Sequence, residues 1–172
     1  MYKIQQITRE NFCETSLDGY IRTQSVTEVY RKINGLYKLV HHPFTDDWSP
    51  QRKREKALEI LGEEFITYGA FDGDRVIGFV MLNKTPKGDR VILHSFQVHR
   101  EYRHQGIGRS LFATAVQAGK QLGARRLYIS ACSSKETVAF YYAMGCKLTK
   151  DVIPEMVEDE PYDLQMEYKI DD

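Results

Sequence analysis

Apolar and polar residues alternate along YKIQQIT at 2–8, the period of two that sends successive side chains to opposite faces of a strand. Thr8 ahead of RENFCETSL reads as the start of a helix. SVTEVYRKI and LYKLVHH are joined by Asn34-Gly35, and an I′ turn needs positive φ at both central positions, so this segment predicts a hairpin. Ser49 followed by Pro50 predicts a capped helix with proline at its first position, running to about Leu61. EFITYGAF and RVIGFVMLN flank Asp72-Gly73-Asp74 as a second hairpin, and RVILHSFQV follows the TPKGD turn as a further strand.

Beyond this point the period changes. Leu111, Phe112, Ala115, Val116 and Leu122 fall at helical spacing, and Gly123 ends that helix. RRLYISAC is a strand, and SSKETVAFYYAM is a helix capped by Ser133 or Ser134 and stopped by Gly145. CKLTKDV and YDLQMEYKI close the chain as strands around an acidic loop. No repeat, linker or low-complexity segment interrupts this order. It predicts one α/β (α+β) domain over 1–172, with a mixed, mostly antiparallel sheet, one β-α-β unit and a hairpin insertion at about 25–48.

Composition narrows the class. The chain has 172 residues, 42% hydrophobic and 28% charged, as expected of a globular protein. The amino end lacks the apolar stretch of a secretory signal, and the longest apolar run, VIGFVML at 76–82, is too short to span a bilayer. Cys13, Cys132 and Cys146 form an odd, scattered set, which reads as reduced thiols in a cytoplasmic protein with no membrane partner. A formal net charge of zero hides an asymmetry. His94 to Arg126 holds six Arg and Lys against one acid, whereas Asp151 to Asp172 holds nine acids against one lysine. This suits an anionic ligand beside a cationic one, and equally two solvated faces.

The stretch EYRHQGIGRS at 101–110 decides which chemistry to pursue. A Walker loop needs a lysine and a hydroxyl residue after its last glycine, but Arg109 follows Gly108. The dinucleotide fingerprint needs glycine or alanine where Leu111 stands. What remains is Arg103-x-x-Gly106-x-Gly108 between an apolar strand and an amphipathic helix. Its glycines expose backbone amides to phosphate oxygens, the helix N-terminus adds positive potential, and Arg103 and Arg109 supply mobile charge. By itself the stretch fits a plain turn as well.

This loop, placed after HSFQV, resembles the acetyl-coenzyme A loop of the GNAT superfamily of N-acetyltransferases. SSKETVAFYYAMGCK resembles that superfamily's next landmark, and the likeness is clear over roughly 76–149. The resemblance implies a sheet that splays open between its fourth and fifth strands, with acetyl-coenzyme A as co-substrate in the gap. The backbone of Phe96, Gln97 and Val98 would pair with the pantetheine arm. The amides of His104, Gln105, Gly106, Ile107, Gly108 and Arg109 would hold the pyrophosphate, with Arg103 beside them. Ser134 stands where the family has asparagine, and its hydroxyl would take over that contact.

An alkylamine of pKa near 10.4 is neutral in only about 1 molecule in 2,500 at pH 7, a cost of roughly 4.6 kcal/mol, so a base is required. His94 lies nine residues before Arg103. A histidine at that offset is the base in the superfamily's arylalkylamine acetyltransferases, so the resemblance implies that role, directly or through water; a strand histidine bonded to a carbonyl is the alternative. The family's acid for the leaving thiolate falls on Tyr141, with a core aromatic as the alternative. Tyr142 points about 100° away around the helix and cannot share that position.

Other residues carry less. Neither His41-His42 nor His99 with His104 has metal-ligand spacing, so no metal is expected. Cys132 reads as an inert core thiol at a strand end, and QRKREK at 51–56 as a solvated helix face rather than a nucleic-acid patch. Thr45-Asp46-Asp47-Trp48 and PEMVEDEPYD at 154–163 offer acids and aromatics for a cationic acceptor, with an acidic solubilising loop as the alternative. The expectation is acetyl transfer to a primary amine of a small cationic molecule by direct attack in a ternary complex. A protein or peptide amine is the alternative acceptor, and a non-catalytic acetyl-coenzyme A sensor the alternative class. A homodimer contact through the hairpin is left open.

Overall fold

The computed structural model describes residues 1–171. Seven strands form the main sheet in the order β1-β4-β5-β6-β7-β9-β8. In chain order these are β1 (Lys3–Gln6), β4 (Phe65–Asp72), β5 (Arg75–Asn83), β6 (Arg90–Val98), β7 (Arg126–Ala131), β8 (Lys147–Leu148) and β9 (Leu164–Lys169). β2 (Gln24–Ile33) and β3 (Leu36–Asp46) make a separate two-stranded sheet, turned by Asn34 and Gly35 with φ of 50° and 80° as the I′ pair requires. All neighbours are antiparallel except β6 and β7, which are joined in parallel by α2 (Ile107–Gln121).

The sheet carries a core on each face. One is built on Leu111, Phe112 and Ala115 of α2 and on Val138 and Tyr141 of α3 (Lys135–Ala143), against Leu93, Leu127 and Ile129. The other packs Ala57 and Ile60 of α1 (Pro50–Ile60) with Leu17, Tyr20, Phe65, Phe79 and Met81. Each large apolar side chain removed from water in these layers contributes about 1.5–3 kcal/mol. Ser49 caps α1 by accepting from the Arg52 amide, with Pro50 at its start.

Three local expectations are corrected. The segment after Thr8 is a chain of turns, not a helix. Asn11 Oδ1 and Ser16 Oγ take the amides of Thr8 and Cys13, and such side chains compete with helical hydrogen bonds. The acidic loop contains a short helix, α4 (Pro154–Asp159), started by its proline. CKLTKDV shrinks to the two residues of β8.

Candidate active site

Pairing between β6 and β7 stops at Leu93 opposite Ile129. Beyond it β6 stays with β5 while β7 stays with β9, so the sheet splays between its fourth and fifth strands. The break coincides with a β-bulge. Met81 opposes Ser95 and Leu82 opposes Leu93, which leaves His94 as the extra residue. A bulge bends its strand and re-aims the side chain it carries. A cleft of about 670 Å³ opens at the splay, lined by β6 from Leu93 to Val98, the loop residues His104, Gly106, Gly108 and Arg109, and Ser130, Cys132, Phe140 and Tyr141.

One wall is the loop before α2. His104 and Gly106 have φ of 61° and 83°, a conformation that costs L side chains other than glycine about 1–2 kcal/mol. Among the described residues, the amides from His104 to Arg109 have no protein acceptor, the ordinary state of a helix's first turn. A Cβ on Gly106 would meet nothing within 4 Å, whereas one on Gly108 would lie 3.1 Å from Phe140 Cε2. Gly106 thus leaves room for a ligand, and Gly108 lets α2 approach α3. Arg109 is exposed on the cleft, the Ile107 side chain is buried in the core, and the Gln105 side chain turns back to the Glu101 carbonyl at 3.1 Å.

Arg103 is not the mobile charge expected of it. Its Nε donates to the Val98 carbonyl at 3.1 Å, and its two terminal nitrogens donate to the carbonyls of Thr23 and Arg22, each at 2.9 Å. It pins the segment before β2 to the end of β6. Ser134 is also corrected. It is fully buried, its Oγ accepts from the Thr137 amide as the cap of α3, and it donates to Thr137 Oγ1 at 2.8 Å. It is not among the residues lining the cleft.

Tyr141 approaches from the α3 face. Its hydroxyl has no protein partner among the described residues, yet it is not sealed as that of Tyr20 is. Burial, then the neighbouring Cys146, Asp163 and Cys132, hold its pKa above that of an ordinary phenol, so it keeps its proton. Tyr142, one residue on, is exposed.

His94 stands on the opposite, α1 face, its ring 4.5 Å from that of Phe65. Its Nε2 lies 2.5 Å from Oε1 of Glu59 on α1. The bond to His94, then Lys56, pulls the Glu59 carboxyl down to about 2, so it is ionised and accepts. Nε2 therefore donates to that carboxylate, and Nδ1 is the ring nitrogen left without a protein partner among the described residues. Glu59 had no local signal in the sequence, since it sits on a different element from His94.

The same face carries Ser130, whose Oγ donates to Asp163 at 3.0 Å. Burial, then Glu160, raises the Asp163 carboxyl to about 6. Of the residues proposed to receive a cationic acceptor, Asp46 pairs with Arg22 at 2.7 Å, Asp47 accepts from Thr23, and Trp48 stacks near Tyr20 and Phe79. Those groups serve the fold. Cys132 is exposed on the cleft rather than buried, because β7 ends one residue earlier; Cys146 is the buried thiol, pushed up to about 12 by burial. In QRKREK, Lys56 is buried against Glu59 at 2.5 Å rather than solvated.

The sequence pattern of the acetyltransferase (GNAT) family matches residues 33–146, a span that holds the bulge, the amide-lined loop and Tyr141. The chain belongs to that family. It is an acetyl-coenzyme A-dependent N-acetyltransferase. No curated protein matches it in sequence. Among solved structures this GNAT fold is similar to a nourseothricin acetyltransferase at 17% identity, 99% of each chain covered and TM-score 0.74. It is similar to a streptothricin acetyltransferase from Bacillus anthracis, solved with acetyl coenzyme A, at 16% identity, 99% of each chain and TM-score 0.73. The PaiA N-acetyltransferase of Thermoplasma acidophilum, solved with coenzyme A, shares 19% identity over 98% of this chain and 99% of its own, at TM-score 0.64. The residues of this GNAT chain fit the co-substrate: the free amides suit a pyrophosphate, and among the described residues the β7-facing edge of β6 beyond Leu93 has no partner strand. Among the described residues no group of three or more His, Cys, Asp or Glu is placed to hold a metal, and no helix is long and apolar enough to cross a membrane.

Proposed function

We propose that this enzyme acetylates a primary amine of a small cationic molecule by direct attack on the thioester in a ternary complex. The observation that carries the reading is the two-sided cleft, with Tyr141 on one face of the sheet and the His94–Glu59 pair on the other. His94 Nδ1 takes a proton from the incoming amine, directly or through water, while ionised Glu59 holds the ring and stabilises the imidazolium. Tyr141, a phenol that keeps its proton, donates to the departing sulfur. The loop amides of His104 to Arg109 hold the pyrophosphate, with Arg109 screening its charge, and the free edge of Phe96 and Gln97 orients the pantetheine arm. The Val98 carbonyl is already engaged by Arg103, so Val98 contributes less of that edge.

A small acceptor is supported by the hairpin, from whose end Arg22, Gln24 and Ser25 wall the cleft where a protein substrate would otherwise lie. Two structures of this fold are named for nourseothricin and streptothricin acetylation, in agreement with a small-molecule acceptor. The test is thiol release from acetyl-coenzyme A against a panel of amines and peptides, with the product identified by mass. Release with small cationic amines and an N-acetylated product supports the reading. Tight binding of acetyl-coenzyme A without release from any amine overturns it. Cys132→Ser should remain active, because direct attack needs no acetyl-enzyme.

A further inference from the structure

The three thiols of the chain stand in different surroundings. Cys146 is buried, and that burial pushes its thiol up to about 12, so it is inert. Cys13 is exposed in the turns after β1, where Thr15 Oγ1 lies 3.2 Å from its sulfur, and it does not line the cleft. Cys132 is exposed on the cleft itself, between the buried Ala131 and Ser133.

Its place there follows from the splay. Leu93 and Ile129 are the last partners of β6 and β7, and Phe96 and Cys132 each come three residues later on the two walls that diverge from that pair. The Phe96 and Tyr141 rings face each other with centroids 6.4 Å apart. Tyr141 is 6% exposed, and its hydroxyl borders the cleft with no protein partner among the described residues. A buried phenol left unpaired at a cavity wall calls for a polar atom from a ligand. Cys132 is near enough for its charge to act on that phenol. The end of the cleft assigned above to the coenzyme sulfur therefore carries a sulfur of the protein as well.

We infer that Cys132 is a modification site for coenzyme A: under a hydroperoxide it forms a mixed disulfide with the coenzyme's own thiol, which closes the cleft until a reductant reopens it. The inference rests on Tyr141 as the residue that meets the coenzyme sulfur, and it goes beyond acetyl transfer. In the first step the Cys132 thiolate attacks one oxygen of hydrogen peroxide. The O–O bond breaks, a sulfenic acid forms and hydroxide leaves. In the second, the sulfenic sulfur is attacked by the coenzyme thiolate. The S–S bond forms, the S–O bond breaks and a second hydroxide leaves. The two hydroxides take up the protons shed by the two thiols, so the thiols together lose two electrons and the peroxide is reduced to water. Acetyl-coenzyme A has no free thiol, so the reaction belongs to the product state, with free coenzyme in the cleft.

The full chain is incubated with hydrogen peroxide and either coenzyme A or glutathione at equal concentration, and the products are read by intact mass and peptide mapping. The wild type should gain one coenzyme A on Cys132 about tenfold or more faster than it gains glutathione, because binding in the cleft raises the local thiol concentration. Excess acetyl-coenzyme A should suppress the adduct, Cys132→Ser should abolish it, and Cys13→Ser should leave it in place. Dithiothreitol should remove the adduct and restore acetyl-coenzyme A binding in calorimetry. Equal rates for coenzyme A and glutathione overturn the inference, since Cys132 would then react as any exposed thiol does. An adduct chiefly on Cys13, or none at all, overturns it too. If Tyr141→Phe keeps full turnover, the acid role falls separately, and the adduct on Cys132 still decides this point.

Discussion

Glu59 Oε1 and His94 Nε2 meet at 2.5 Å although 35 residues separate them, and the contact joins α1 to the bulge of β6. It fixes which ring nitrogen faces the carboxylate. His94→Ala is expected to lower kcat about 100-fold or more, and Glu59→Gln less, since the amide keeps the contact but loses the charge. Steady-state kinetics at saturating acetyl-coenzyme A measure both. Equal activity in His94→Ala would remove His94 from the chemistry.

Tyr141→Phe deletes one hydroxyl facing the cleft and leaves the surrounding aromatic packing in place. We expect kcat to fall about 10- to 100-fold, with acetyl-coenzyme A affinity within a few-fold of wild type. Calorimetry beside turnover separates the two effects. A loss confined to affinity would make Tyr141 a binding residue only.

Gly106→Ala places a methyl group in open space but at a φ of 83°, so the fold should lose only about 1–2 kcal/mol. Gly106→Trp should still fold and should lose acetyl-coenzyme A affinity by an order of magnitude or more, because the ring fills the approach to the amides. Gly108→Ala should destabilise through Phe140, 3.1 Å from the new Cβ. Thermal melts and calorimetry on the three variants test the division of labour between the glycines.

Arg103 donates to three backbone carbonyls on two segments. Arg103→Ala should cost about 2–4 kcal/mol, and Arg103→Lys should recover little of it, because an ammonium lacks the planar fork. Denaturant unfolding provides the measurement. A variant of wild-type stability with weakened acetyl-coenzyme A binding would restore the phosphate role instead.

Asp163 titrates near 6 in the folded chain, against 3.8 ordinarily, with burial as the main cause. A raised carboxyl means that the folded state holds the proton more tightly. Stability is then greatest below the ordinary value and declines as pH rises through about 6. Asp163→Asn should therefore be more stable than wild type at pH 7.5, by about 1–2 kcal/mol after allowance for partial exposure, and should lose that advantage by pH 4. Melting curves across this range check the sign.

Much of this protein was legible in its residues because the signals are local. Asn34-Gly35 demands a I′ turn, Ser49-Pro50 a capped helix, and the two-glycine loop an exposed row of amides, each through backbone geometry a few residues long. His94 and Tyr141 are named from the resemblance to the GNAT landmarks, and both line the cleft. What the fold alone decided concerns partners far apart in the chain. Glu59 meets His94 only because α1 packs on the face of β4 and β5, beside the bulge of β6. Arg103 is spent on the carbonyls of residues 22, 23 and 98, and Ser134 on its own helix cap. A local motif determines which donors a segment exposes, whereas tertiary packing determines which of them are consumed and which remain for a substrate.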